Sequence, residues 1–362
     1  MARILVIDDD PELLDMLRLL LERRGGHEVV LSTNGEDGLA RARETPPDLA
    51  IVDVMMPGMT GYEVCRRLRE SPETASVPIL ILTARGQAVD RAAALDVGAD
   101  EHIAKAVPMS DLLGRINALL ERRARLADFR AVVLLGLRGG VGVTTLAVNL
   151  AATLVREKRG NVCLVDLCPS SGHVALQFGL RPEPNWSDLI QSGFPDAQAV
   201  GDLLLEHASG LQVLASPIVP LVEQRLSRPA MEGLLRALQE RFDIVVVDTP
   251  SMLDEATMVV LDAATHTWLV MTAELASIQT VVGTIRALGQ RVDEFSVILN
   301  QAAPGKRTSP AAVERVLKRP VDGDVPFDVR QAQALAQGEP LAFCKEDSLL
   351  ATAIGRLAGR LI

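Results

Sequence analysis

Short apolar segments alternate with amphipathic helical stretches along the whole chain, and this alternation limits the possible folds more than any other feature. Strands that alternate with helices build parallel sheets with crossover helices, so the pattern predicts the α/β class with two doubly wound parallel sheets. The predicted strands of the first part are 3–7, 28–31, 49–52, 78–82 and 101–103. Those of the second part are 131–137, 162–165, 211–215, 244–247, 267–271 and 296–299.

The domain boundary is predicted shortly after residue 123. A chain of 362 residues is long enough for two or three domains of about 100 to 200 residues each. A last helix of the first part is predicted at 110–123, and the charged stretch 121–128 that overlaps it lacks an apolar stripe. We therefore predict one domain over 1–123, a linker over 124–130 and a second domain over 131–362.

Composition excludes several classes of function. Hydrophobic residues make up 48% of the chain and charged residues 23%, which is typical of a folded globular protein. The net charge is −10 and aromatic residues make up 3%, so no specific nucleic-acid partner is expected. The four cysteines have no metal-ligand spacing, and no signal segment or apolar run of 18 residues occurs. We expect a cytoplasmic protein.

Polar residues follow several predicted strands of the first domain at the point where each strand ends. Because the carboxyl ends of parallel strands meet at one edge of a sheet, these residues are expected to lie together. Three carboxylates, a hydroxyl and an amine at this edge suit Mg²⁺ and a phosphoryl group. They belong to Asp8, Asp9, Asp53, Thr83 and Lys105. Asp10, directly before Pro11, is interpreted as the N-cap of a helix.

Segments 4–13, 47–61, 78–84 and 98–105 resemble the receiver domains of two-component response regulators. The resemblance implies that Asp53 is the phosphoacceptor and that a sensor histidine kinase or phosphotransfer protein is the donor. It also implies that Asp8 and Asp9 hold Mg²⁺ together with Asp53 and the main-chain carbonyl of Met55. Lys105 would pair with the phosphoryl oxygens, and the Thr83 hydroxyl would follow the phosphate. His102 and Ala106 replace the usual aromatic residue and proline of the family, so the surface that transmits the signal is expected to differ.

A glycine-rich turn follows the first strand of the second domain and precedes an apolar helix at 146–155. Such a turn directs backbone N–H groups at a phosphate, although by itself it is equally consistent with tight packing. The turn consists of Arg138, Gly139, Gly140, Val141, Gly142, Val143, Thr144 and Thr145. Asp166 and Asp248 end two further apolar strands, and this placement favours a phosphate site.

The second domain resembles the deviant-Walker ATPases of the partition and septum-site type, and within them the TadZ and CpaE pilus-localisation family. Segments 209–217, 297–300, 325–328 and 338–341 support the likeness. The resemblance implies a P-loop NTPase-like fold after a flavodoxin-like receiver, with ATP and Mg²⁺ as ligands, a homodimer, and pilus or secretion machinery as partner. Thr144 and Asp248 would hold Mg²⁺, while Asn300 and the loop 326–328 would flank the adenine.

Three departures from the ATPase pattern lie at catalytic positions. Arg138 and Val143 stand where the family has lysines, and Cys168 stands where it has the Asp that orients the attacking water. Because phosphoryl transfer depends on such charges, we predict nucleotide binding with weak or absent hydrolysis. A regulatory and localisation protein is therefore favoured, and an active, phosphorylation-controlled ATPase that positions a cargo is the alternative.

The C-terminal segment 348–362 is amphipathic, with Arg356 and Arg360 as its only charges. A final helix packed on the sheet is favoured, because Gly355 and Gly359 weaken an isolated helix. The alternative is a peripheral membrane contact, which would place the protein at the inner membrane or a cell pole.

Overall fold

The computed structural model describes residues 1–83, 94, 96–169, 172–190, 195–221, 225–305, 307–344 and 348–361. The chain divides into two compact units, Met1–Ala127 and Asp128–Ile362. Ala84, which ends one of the segments that resemble a receiver, lies outside the described residues.

The first unit contains a five-stranded parallel sheet in the order β2-β1-β3-β4-β5. Its strands are β1 (Arg3–Ile7), β2 (Glu28–Ser32), β3 (Leu49–Asp53), β4 (Ile79–Thr83) and β5 (Glu101–Ala104). The described helices are α1 (Pro11–Arg23), α2 (Gly35–Glu44), α3 (Gly61–Glu70) and α4 (Met109–Asp128). Every residue of the central strands β3 and β4 is buried, because apolar clusters cover both faces of the sheet.

Asp10 caps α1 as predicted. Its carboxylate accepts hydrogen bonds from the backbone N–H groups of Glu12 and Leu13, and Pro11 occupies the first helical position. The cap fixes the point at which the chain turns away from the sheet edge after Asp8 and Asp9.

The helix α4 is longer than predicted. It continues through Asp128, so most of the segment 124–130 that was predicted as a linker is helical. The segment contains Ala124, Arg125 and Leu126 and no Gly or Pro, and these residue types favour helix even without an apolar stripe.

The second unit contains an eight-stranded sheet in the order β13-β12-β11-β6-β10-β7-β9-β8. Its strands are β6 (Arg130–Leu135), β7 (Val162–Asp166), β8 (Leu204–Glu206), β9 (Gln212–Leu214), β10 (Ile244–Asp248), β11 (His266–Met271), β12 (Phe295–Asn300) and β13 (Gly323–Val325). All pairs are parallel except β8 with β9. The edge strands β8 and β13, of three residues each, were not predicted.

Helices cover both faces of this sheet. They are α5 (Val143–Arg156), α6 (Val174–Gln177), α7 (Ala197–Gly201), α8 (Arg228–Gln239), α9 (Glu255–Ala263), α10 (Leu275–Leu288), α11 (Pro310–Leu317), α12 (Gln331–Gln337) and α13 (Leu349–Ala358). The helix α5 follows the glycine-rich turn and is the most deeply buried of them, since it lies among the strands, α13 and the short turn Leu341–Phe343.

The C-terminal helix α13 packs within its own unit, as the favoured interpretation predicted. Leu350, Ile354 and Leu357 are buried against α5 and β13. Ser348 caps the helix, because its hydroxyl oxygen accepts the N–H of Ala351. Among the described residues, no helix has both the length and the apolar composition needed to cross a membrane.

Candidate functional site

Three carboxylates meet at the carboxyl edge of the first sheet. Asp53 is the last residue of β3 and Asp8 follows the neighbouring strand β1. Asp8 and Asp53 are 1% and 3% exposed, whereas Asp9 is exposed to solvent. One oxygen of each carboxylate lies within 4.8 Å of the others. This oxygen-only donor set is the kind that Mg²⁺ prefers, and the exposed Asp9 leaves the site open to solvent.

Lys105 bridges the two buried carboxylates. Its Nζ lies 2.7 Å from Asp8 Oδ2 and 2.9 Å from Asp53 Oδ1. Its backbone N–H also donates to the Thr83 carbonyl at 2.7 Å, which fixes the turn after β5 beside the end of β4. The structure therefore brings together all five residues predicted for this site, with Thr83 itself buried.

Burial and charge act in opposite directions on these groups. Burial raises the pKa of Asp8 above its ordinary value, although hydrogen bonds from Lys105 and from the Asp10 N–H oppose the shift. For Lys105, burial lowers the pKa, but its hydrogen bonds to Asp8 and Asp53 outweigh burial and raise the pKa overall. The ammonium group is thus held in its charged form beside Asp53.

The backbone also orients Asp53, which the sequence analysis did not foresee. The N–H of Met55 donates to Asp53 Oδ2 at 3.0 Å, while Lys105 binds the other oxygen. Gly61 allows this tight loop, because a Cβ there would lie 2.1 Å from the Asp53 carbonyl oxygen. A glycine eight residues after the acidic residue was the only sequence signal for this close approach.

In the second unit, the glycine-rich turn joins β6 to α5. Gly140 and Gly142 have φ values of +81° and +95°, which favour glycine. Asn300, at the end of β12, donates from Nδ2 to the Val141 carbonyl at 2.8 Å. A Cβ on Gly142 would lie 2.3 Å from that nitrogen, so the backbone approaches Asn300 as closely as glycine permits. The turn ends at the first turn of α5, where unpaired N–H groups can bind an anion.

Asp248 lies beside the first turn of α5. It pairs in register with Asp166 across β10 and β7, and the Thr144 side chain lies close enough to lower its pKa. Burial raises the pKa of Asp248 well above its ordinary value, and the nearby Asp166 raises it further, while Thr144 opposes the shift. Its buried Oδ1 has no hydrogen-bond partner among the described residues. An unpaired carboxylate oxygen beside a threonine hydroxyl fits an Mg²⁺ ligand set.

Asp166 serves mainly as an acceptor for its own loop. Cys168 donates its N–H to Oδ1 at 3.0 Å, and Val174 donates its N–H to Oδ2 at 3.2 Å. Burial raises the pKa of Asp166, and these backbone donors oppose the shift. A Cβ on Gly172 would lie 2.3 Å from Asp166 Oδ2, so this glycine lets the loop close over the carboxylate. Cys168 is half-buried at the same edge of the sheet.

The other two departures from the ATPase pattern have defined surroundings. Val143 is the first residue of α5 and packs against the apolar core. Arg138 extends to the side, where its guanidinium lies 2.6 Å from Glu274 Oε2. The structure thus places an apolar side chain where the family has its phosphate-binding lysine.

A cavity of about 360 Å³ opens beside the turn, lined in part by Gly140 and Asn300. Asp328, also predicted near a nucleotide, binds the guanidinium of Arg330 and the hydroxyl of Ser348. The adjacent Arg330 holds the pKa of Asp328 well below its usual range. Asp328 therefore connects the loop after β13 to the start of α13.

The folds and these two sites define a response-regulator receiver domain followed by a P-loop ATPase-like domain. Residues 4–117 match the response regulator receiver domain family, and residues 129–362 match the family described as cellulose biosynthesis protein BcsQ. The second match covers more than half of the chain, which therefore belongs to the BcsQ family and carries a receiver domain before it.

Relatives of known sequence match the receiver domain. The chain is 41% identical over 126 residues to the DNA-binding dual master transcriptional regulator RpaA of Synechocystis, a match that covers 35% of this chain and 52% of RpaA. It is 39% identical over 120 residues to the protein PilH of Pseudomonas aeruginosa, covering 33% of this chain and 98% of PilH. The chain thus spans about half the length of RpaA and nearly all of PilH.

Solved structures match the second domain. A ParA family ATPase from Chlorobium tepidum superposes with a TM-score of 0.57 at 20% identity, covering 65% of this chain and 99% of that protein. The septum site-determining protein MinD from Pyrococcus horikoshii, solved with Mg-ADP, gives a TM-score of 0.55 at 19% identity, covering 64% and 96%. At this identity the likeness shows the fold, which is that of the MinD and ParA ATPases.

Proposed function

We propose that the receiver domain is phosphorylated on Asp53 by a phosphohistidine of a sensor kinase or phosphotransfer protein. The observation that carries the proposal is the bridge from Lys105 to Asp8 and Asp53 at 2.7 and 2.9 Å. In this reaction an Asp53 oxygen attacks phosphorus, the acyl phosphate bond forms, and the bond to the histidine nitrogen of the donor breaks. Asp8, Asp9 and Asp53 would hold Mg²⁺, which neutralises charge on the phosphoryl group.

The chain's own residues prepare Asp53 for this step. The Met55 N–H and the Lys105 ammonium each bind one Asp53 oxygen and so fix the orientation of the carboxylate. After transfer, Lys105 can pair with a phosphoryl oxygen, because its Nζ already lies at the acceptor. Thr83 lies at the end of the adjacent strand, where its hydroxyl would contact the phosphoryl group.

For the second domain we propose that it binds ATP with Mg²⁺ and hydrolyses it weakly or not at all. Backbone N–H groups of the turn 139–145 would bind the phosphates, and Thr144 with Asp248 would hold Mg²⁺. The chain supplies no lysine from the turn, since Val143 packs into the core. Asp166 is already occupied by backbone donors, and Cys168 has no carboxylate to orient water.

The proposed output is regulation and localisation. In this proposal the receiver biases a nucleotide-dependent homodimer, in the cytoplasm or at the inner membrane or cell pole, that positions a tight-adherence pilus or secretion assembly. The support is the resemblance to the TadZ and CpaE family, which joins the same two domains. Because the matched family is named for cellulose biosynthesis, a cellulose-secretion assembly is the second candidate cargo.

The alternative function is an active ATPase whose turnover moves the cargo. Steady-state release of phosphate from ATP, measured on the full chain and on the Asp248→Ala variant, distinguishes the two. We expect both proteins to release phosphate at the same negligible rate. Turnover in the wild type that Asp248→Ala abolishes would establish the active enzyme.

A further inference from the structure

The cavity beside the glycine-rich turn has an unusual arrangement of charge. It measures about 360 Å³, within the range of small-ligand sites, and reaches from Gly140 to the loop after β12. Its lining includes two carboxylates, Glu274 and Asp324. Among the described residues that line it, Arg307 is the only one with a positive charge. An anionic ligand entering this cavity would therefore meet two negative groups and one positive group.

Arg307 is held by one of those carboxylates. Its guanidinium lies 2.5 Å from Asp324 Oδ2, and the two side chains are 52% and 24% exposed. An ion pair with this exposure adds little stability, because water screens the charges and both side chains lose freedom. Another anion can therefore replace Asp324 as the partner of Arg307 at a small cost in free energy.

A phosphate group is a suitable replacement for Asp324. The planar guanidinium donates two parallel hydrogen bonds to phosphate as readily as to carboxylate. The glycine-rich turn beside the cavity needs such a cation, since Val143 leaves it with backbone donors alone. Arg138, at the start of the turn, is paired with Glu274 at 2.6 Å and is not among the residues that line the cavity.

We propose that Arg307 binds the phosphate chain of the nucleotide and that Asp324 holds Arg307 when no nucleotide is present. The inference rests on the proposed nucleotide binding and adds a binding residue to that site. It makes Asp324 a competitor of the ligand, so the two residues have opposite effects on affinity. Loss of Arg307 weakens binding, and loss of the Asp324 charge strengthens it.

Calorimetric titration of the full chain tests this arrangement, with the Mg²⁺ complex of a non-hydrolysable ATP analogue and with inorganic tripolyphosphate as separate ligands. Arg307→Ala should lower the affinity for both ligands about tenfold. Asp324→Asn should raise the affinity for both ligands about two- to fivefold. Arg315→Ala is the matched control, because Arg315 is exposed on α11 and does not line the cavity. In the double variant Arg307→Ala/Asp324→Asn, the gain from Asp324→Asn should disappear.

Four results would overturn the inference. Unchanged affinity in Arg307→Ala shows that Arg307 is not a ligand residue. If Arg307→Ala lowers the affinity for the ATP analogue but not for tripolyphosphate, the contact is with the base. A gain from Asp324→Asn that persists without Arg307 shows that the two residues act independently. A wild-type chain that binds neither ligand overturns the proposed nucleotide binding itself, and the inference with it.

Discussion

The side-chain amide of Asn300 donates a 2.8 Å hydrogen bond to the carbonyl oxygen of Val141, which joins the end of β12 to the glycine-rich turn. The two residues are 159 positions apart, and the bond is buried. It holds the turn in the shape that leads into α5. The same contact leaves no room for a side chain on Gly142.

Gly142→Ala should therefore damage the nucleotide site. The alanine would have to adopt a φ near +95° and its Cβ would lie 2.3 Å from Asn300 Nδ2. We expect the free energy of unfolding to fall by about 1 to 3 kcal/mol and nucleotide affinity to fall with it. Gly139→Ala is the control, since a Cβ there meets open space. The free energies of unfolding are measured by denaturant titration and the nucleotide affinities by calorimetry. Equal values for the two variants would contradict this prediction.

Phosphorylation should occur on Asp53 alone. After incubation with acetyl phosphate and Mg²⁺, intact-mass measurement is expected to show one added phosphoryl group in the wild type and none in Asp53→Ala. The control is Asp15→Ala, which removes an exposed carboxylate that pairs only with Arg18 in α1 among the described residues. Equal labelling of wild type and Asp53→Ala would exclude the assignment.

Asp9 should contribute to Mg²⁺ affinity although it is exposed. Asp9→Ala removes one of three carboxylates whose oxygens lie within 4.8 Å, so Mg²⁺ affinity and labelling by acetyl phosphate should both fall about tenfold or more. Asp10→Asn is the control, because an asparagine still caps α1. If Mg²⁺ titration gave equal affinities for both variants, Asp9 would not be a ligand.

The buried carboxyl of Asp248 should make the protein less stable at neutral pH than in acid. Its pKa is raised by burial and by Asp166, so the folded state binds this proton more tightly than the unfolded state does. The free energy of unfolding therefore decreases as pH rises from the ordinary Asp range through the raised pKa. Asp248→Asn should be more stable by about 1 to 3 kcal/mol at neutral pH without ligands, and the difference should vanish in acid. The prediction would be wrong if denaturant titrations from about pH 4 to about pH 8 showed Asp248→Asn to be less stable than the wild type throughout.

Hydrolysis should increase when the missing charges are restored. Val143→Lys together with Cys168→Asp supplies the cation and the carboxylate that act mainly on the transition state, so ATP turnover should rise at least about tenfold. Val143→Met with Cys168→Asp controls for side-chain length without charge. Equal phosphate release by both double variants would show that the site lacks more than these two groups.

The receiver site was predictable because its chemistry follows from strand order. Asp53 and Thr83 end β3 and β4, and Lys105 follows β5, so a parallel sheet brings them to one edge whatever the loops do. The same reasoning placed Asp248 beside the glycine-rich turn. Each of these residues lies within two positions of a strand end, where the backbone fixes its location.

The pairings that depend on loop closure were not predictable. Asp166 lies in register with Asp248 at the predicted edge, but the sequence did not show that the N–H groups of Cys168 and Val174 bind its oxygens once the loop folds back. The partner of Arg138 is Glu274, which lies in a loop far along the chain and carries no sequence signal of the contact. Such contacts depend on side-chain directions that strand and helix periods do not specify.

Calorimetric titration of the full chain with the ATP analogue, with and without beryllofluoride and Mg²⁺, tests whether the receiver controls the second domain. Beryllofluoride mimics the phosphoryl group on Asp53. Wild-type nucleotide affinity should change severalfold when beryllofluoride is added, and Asp53→Ala should show the same affinity in both conditions. Identical wild-type affinities with and without beryllofluoride, under conditions where its binding to the receiver is measured directly, would contradict the account.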